Sequence, residues 1–149
     1  MYLVVEESPF TLSQVFTLPT ANRTHIKTVT LWLFLNNPLA GSEITLSIHD
    51  SVGNQIHSEN VLLADIKTQM GISDAFGHGK YIWTPSSQVR LGRGSYTVRM
   101  NHSVNYGLDN FIAWCKDWEG PYFPLSLASD GDKNDPFYLR LYDHMDRAI

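Results

Sequence analysis

The 149-residue sequence holds a single cysteine, Cys115, so no disulfide can form within the chain and the fold has to stand on packing. It also lacks an apolar run of membrane-spanning length, which argues against insertion into a membrane by a helix. Basic residues never form a block: eleven Lys and Arg are scattered against fifteen Asp and Glu, for a formal net charge of -4. A surface that tracks nucleic-acid phosphates is therefore not expected. The opening stretch Met1-Tyr2-Leu3-Val4-Val5-Glu6-Glu7 has neither a basic n-region nor a long enough apolar h-region for a signal peptide. The expectation is synthesis in the cytoplasm.

Motifs of chemistry are as scarce. The six histidines, His25, His49, His57, His78, His102 and His144, are dispersed, with no His-x-His pair to start a metal site, and each reads as a surface or turn residue. Cys115 carries no feature of an activated thiol. Asp130, Asp132 and Asn134 fall at the first, third and fifth positions of a calcium loop, but Asp135 stands where that loop needs glycine and Leu141 where it needs a bidentate glutamate. Residues 130–135 thus read as a hydrophilic turn. Gly92-Arg93-Gly94 lacks the strand-to-helix context of a phosphate loop and reads as a hairpin turn. No catalytic residue, metal or cofactor is expected.

What the sequence does contain is alternation. In Ile44-Thr45-Leu46-Ser47-Ile48-His49-Asp50 and in Ser95-Tyr96-Thr97-Val98-Arg99-Met100-Asn101, odd and even positions divide by polarity, the period of a strand with one dry and one wet face. That pattern favours an antiparallel sandwich over a parallel sheet, whose central strands are apolar on both sides. Strands are expected at 2–5, 14–18, 26–35, 44–50, 54–57, 80–84, 95–101, 110–116 and 137–143. Between them lie turn clusters such as Ser51-Val52-Gly53-Asn54 and Gly77-His78-Gly79. One stretch, Asn60 to Met70, spaces Leu62, Ile66 and Met70 four apart before Gly71 and suits a short helix. The fold class is all-β: an antiparallel β-sandwich of jelly-roll type with about nine strands and at most one short helix. It forms a single domain over 1–149, with 1–12 an N-terminal arm or edge strand.

The wet faces are unusual. With Val29, Leu31, Leu33 and Leu35 turned to the core, Trp32 and Phe34 must face outward, and with Phe137, Leu139 and Leu141 inward, Tyr138, Arg140 and Tyr142 form a stripe on the opposite side. Either a covering strand or loop, or a neighbouring subunit, would shield such rings. A separate concentration of aromatics, including Trp114, Trp118 and Tyr122, stands among amides and carboxylates over 105–124 and suits a neutral sugar's C–H face as well as a core.

The strand and turn order resembles that of galactose-binding-like jelly-roll modules. The similarity runs from Ser13-Gln14-Val15-Phe16-Thr17-Leu18-Pro19 and Ile26-Lys27-Thr28-Val29-Thr30-Leu31-Trp32-Leu33, through Tyr81-Ile82-Trp83-Thr84 and Val89 to Val98, to the closing Phe137-Tyr138-Leu139-Arg140-Leu141-Tyr142. No sugar-binding signature carries over. Such modules occur as carbohydrate-binding or adhesive parts of secreted proteins and as components of bacteriophage particles. The resemblance implies a non-enzymatic virion protein, most simply a capsid decoration or cement protein. Its expected partners are a viral capsid or tail protein and further copies of itself, as a dimer or trimer. Trp32, Phe34, Tyr138, Arg140 and Tyr142 are the expected contact residues, with Tyr2 to Val5 as an arm. The alternative is a carbohydrate-binding or adhesion module that holds a surface glycan through Trp114, Trp118 and Tyr122.

Overall fold

A computed structural model describes residues 3–4, 10–36, 42–73, 76–102, 111–115, 117, 125–126 and 136–149. In chain order its elements are β1 (Leu3–Val4), β2 (Phe10–Leu18), β3 (Thr24–Asn36), β4 (Glu43–Asp50), β5 (Gln55–Leu62), α1 (Leu63–Met70), β6 (Phe76–Trp83), β7 (Val89–Leu91), β8 (Gly94–His102), β9 (Phe111–Cys115), β10 (Leu125–Ser126) and β11 (Leu139–Asp143). All nine expected strands are present, and the two further ones, β7 and β10, are too short to show a period.

Two sheets form a sandwich. One has four strands in the order β2-β8-β4-β5, and the other has seven, built around β3. The chain winds as nested antiparallel pairs, with β4 on β5, β3 on β6 and β2 on β8, and β8 closes the smaller sheet by pairing β4 as well. That winding is the principle of a jelly roll. The β1–β10 bridge is the one parallel pairing among the described residues. Within the segment 1–12 expected as an arm or edge strand, Leu3–Val4 sit at the edge of the larger sheet and Phe10–Leu12 begin the edge strand β2 of the smaller one.

The thirteen residues of β3 are the spine of the larger sheet. On one side they pair with β7 and β6, on the other with β11 and then β9. Val29, Leu31, Leu33 and Leu35 are fully buried, as their period requires. Ile26 is buried too, three positions from Val29, because the ladder to β11 skips Lys27 between Ile26↔Asp143 and Thr28↔Tyr142. The extra residue is a bulge that resets which side chains face inward. Leu12, Ile44, Leu46, Ile48, Val98 and Met100 of the smaller sheet meet these residues across the core. Each such side chain contributes about 1.5–3 kcal/mol of apolar burial.

Helix α1 carries the chain from the smaller sheet to the larger one. It is shorter than the periodic stretch suggested, because β5 runs on to Leu62, whose backbone is extended and supplies no side-chain cap. Leu63 and Ile66 are its buried residues, and Gly71 ends it at φ 71°, a left-handed conformation that suits glycine. From its last turn Gln69 receives the backbone N–H of Ile82 on Oε1 and donates from Nε2 to the carbonyl of the same residue, at 2.6 and 2.8 Å. The amide thus imitates a neighbouring strand and blunts an otherwise open sheet edge. The expected hairpin at Gly92-Arg93-Gly94 is instead a crossover: β7 belongs to the larger sheet and β8 to the smaller. The Tyr96 hydroxyl fastens it, donating to the Gly92 carbonyl at 2.9 Å.

Candidate functional site

Side chains on β3 that point away from the core meet those of β6 and β11 on the outer face of the seven-stranded sheet. Directly opposite Trp32 is Lys80, opposite Phe34 is His78, and opposite Thr30 are Ile82 on one side and Arg140 on the other. Tyr138 arrives just ahead of β11, where β9 holds its backbone on both groups: its N–H donates to the Cys115 carbonyl at 2.9 Å and its carbonyl accepts from Trp114 Nε1 at 2.8 Å.

The rings then form a continuous chain. Phe34 stacks on His78 with centroids 6.1 Å apart and planes 7° from parallel. Trp32 donates its indole N–H to His78 Nδ1 at 3.0 Å, and Tyr138 meets Trp32 edge-on at 5.6 Å. Over the Tyr138 ring lies the Arg140 guanidinium at 4.4 Å, with Lys80 Nζ at 6.0 Å. Arg140 is in turn ion-paired with Asp117 at 2.9 Å, and that hydrogen bond, working against partial burial, raises its pKa further. An exposed pair and a cation over a ring contribute about 1 kcal/mol each at most, so their main effect is to fix geometry. Beside this group Phe76 and Ile82 lie on the same face, 64% and 46% exposed.

Four of the five residues expected to contact a partner, Trp32, Phe34, Tyr138 and Arg140, are therefore neighbours. Tyr142 shares their face but stands opposite Thr28, two ladder positions beyond Arg140. The expected sugar-binding aromatics fare differently. Trp114 is fully buried, stacked on Phe137 at 4.7 Å, and offers no ring face to a sugar; Trp118 and Tyr122 lie outside the described residues. So do Tyr2 and Val5 of the expected arm and the turn at 130–135.

Sequence reasoning did not bring His78 or Lys80 to this face, and it set Asp117 among the aromatics of 105–124 rather than on Arg140. The glycines on either side of His78 read as a turn, although His78, Lys80 and Ile82 do alternate as a strand face. Gly77 has a packing reason: a Cβ there would meet three side-chain atoms of Ile72 at 3.2–3.3 Å.

A second cluster sits at the mouth of the sandwich. Glu59 on β5 accepts from Trp83 Nε1, from the Ser86 backbone N–H at 2.9 Å and shares a contact of 3.1 Å with His57 Nε2. Burial works to raise its pKa, but these hydrogen bonds together win and hold the carboxyl below its ordinary value. Its acceptor sites are thereby occupied, which suits a brace between the two sheets rather than proton transfer. Nearby, burial first and then the charges of Glu59 and Asp65 push the Tyr81 hydroxyl to about 12, and burial pushes the Cys115 thiol to about 12. Among the described residues no group of three or more His, Cys, Asp or Glu converges as a metal site would. Among them, too, no helix is long and apolar enough to cross a membrane.

Comparison with protein-family models, with curated protein sequences and with solved structures finds no match in any of the three.

Proposed function

We propose that this protein is a non-enzymatic docking module, a bacteriophage virion subunit of the capsid-decoration type. It would seat on the assembled shell, as a dimer or trimer, through the outer face of its seven-stranded sheet. One observation carries the reading: Trp32 and Phe34 of one strand come together with Tyr138, more than a hundred residues away in the chain, as one strip with His78 and Arg140, beside the exposed Phe76 and Ile82. Aromatic anchors accompanied by an arginine are enriched in protein interfaces. An interface of standard size buries about 1,600 Å², and bound area of that kind stabilises an assembled shell by mass action. The strand-order resemblance to jelly-roll modules of phage particles supplies the kind of partner.

The test is mass spectrometry of purified particles of the virus that encodes the chain, with rebinding of purified protein to particles stripped of it. Near-stoichiometric copies relative to the major shell protein, and rebinding lost in a Phe76→Asp, Ile82→Asp variant whose circular dichroism is unchanged, are expected. Absence from the particles would refute the reading, while a handful of copies would move the protein to a tail or appendage.

A further inference from the structure

Two turns face each other at one end of the sandwich. Between β2 and β3, the Thr20 hydroxyl donates to the Asn22 carbonyl at 3.3 Å. After β11, Asp143 folds the chain back: Oδ1 accepts from the backbone N–H groups of Met145 and Arg147 at 2.9 and 3.0 Å, and Oδ2 accepts from Arg147 Nε at 3.0 Å. Lys27, the bulged residue of β3, fixes the tip of that turn by an ion pair with Asp146 at 2.7 Å.

Between the turns lies a groove of about 440 Å³, a size within the usual range for small ligands. Leu18, 1% exposed, is part of its lining, and Arg23, His25, Thr24, His144 and Arg147 also contribute. The two imidazoles stack on each other at 5.5 Å, 19° from parallel, and present one flat surface. Among the described residues no hydrogen bond or ion pair engages the Arg23 guanidinium, and Arg147 spends only Nε on Asp143. Two guanidiniums against one carboxylate give the side chains of the lining a net charge of +1 with neutral imidazoles, within a chain of formal net charge -4. Asp143 is already engaged by Arg147, and a guanidinium fork such as that of Arg23 can take one carboxylate in two parallel hydrogen bonds. Hydroxyls and ring nitrogens around the fork suit a ligand that carries hydroxyl groups of its own.

We infer that this groove is a binding site for a small hydroxylated carboxylate, a monoanion of the uronic-acid kind, held by Arg23 and Arg147 against the stacked His25 and His144. This site lies apart from the docking strip and does not depend on it. The test is titration of the full-length, ¹⁵N-labelled chain at neutral pH with D-glucuronate, D-glucose and D-glucose 6-phosphate. Glucuronate should shift the amide signals of Thr24, His25 and His144 at millimolar concentration, and glucose should bind at least about tenfold more weakly. Arg23→Gln should weaken glucuronate binding about tenfold, while Lys67→Gln on the helix should leave it unchanged. Arg23 braces nothing, so its variant should fold normally, as an unchanged spectrum outside the groove would verify. No shifts with glucuronate, equal binding of glucose, tighter binding of glucose 6-phosphate, or an Arg23→Gln variant that binds as well as the parent would each overturn the assignment.

Discussion

Trp32 gives its indole N–H to Nδ1 of His78, 3.0 Å away on the neighbouring strand, so a neutral His78 carries its proton on Nε2. The bond ties β3 to β6 across the outer face and sets the angle at which the indole lies. His78→Ala should therefore leave the Trp32 N–H to water and cost less than about 1 kcal/mol, because the pair is exposed. The indole ¹H–¹⁵N signal should shift and its hydrogen exchange quicken. An unmoved indole signal would mean that the pair does not persist in solution.

Glu59 should respond to acid. Its carboxyl is held below its ordinary value of 4.5, so the folded state binds its proton less tightly than the unfolded one. The stabilisation is complete above pH 4.5 and is lost as the pH falls through the lowered folded value. Glu59→Gln offers one acceptor oxygen where two are used and sets an amide N–H₂ against a donor. A loss of about 1–3 kcal/mol at neutral pH is expected, measured by urea unfolding. The difference between parent and variant should shrink at acid pH; a constant difference would assign the loss to packing.

Gly77 and Ile72 should show a change of sign. A methyl group at position 77 meets Ile72 at 3.2–3.3 Å, so Gly77→Ala is expected to destabilise by about 1 kcal/mol in the parent. In an Ile72→Ala background that obstruction is gone, and the same substitution should become neutral or stabilising, because alanine restricts the unfolded chain more than glycine. Additive effects in the four-variant cycle would refute the contact.

The same glycine shows where the sequence was readable and where it was not. Leu31, Leu33 and Leu35 declare the inner face of β3 by a period of two, and that alone places Trp32 and Phe34 outside. The stripe on β11 follows by the same rule, and the pairing of Leu139 with Leu31 then brings Tyr138 and Arg140 beside Trp32. Legibility ends where tertiary packing overrides local preference. Glycine is unfavourable in strands, so Gly77 and Gly79 disguised the first half of β6 as a turn and left only 80–84 legible as a strand, and the close approach of Ile72 that requires Gly77 exists only after folding. Trp114 failed for a related reason. Aromatic composition cannot tell a ring for a sugar from a ring for the core, and the ladder Trp114↔Leu33 is what turns it inward. Arg23, His144 and Arg147 are likewise brought to one groove by turns more than a hundred residues apart in the chain.

Cys115 and Tyr81 should report on the integrity of the core at alkaline pH. Both are uncharged when protonated, and burial pushes each to about 12, against ordinary values of 9.0 for the thiol and 10.0 for the phenol. The unfolded chain therefore sheds these protons at a lower pH than the native protein does, and native stability should fall as the pH rises from about 9 towards about 12. Because the thiolate is the reactive form, Cys115 should resist iodoacetamide in the native state at pH 8 and react at the rate of a free thiol in denaturant. Its labelling rate along a urea series should follow the fluorescence transition. Rapid labelling of the native protein, at a rate insensitive to urea, would mean that the Cys115 thiol is open to solvent and that the sandwich is looser around β9 than its packing indicates.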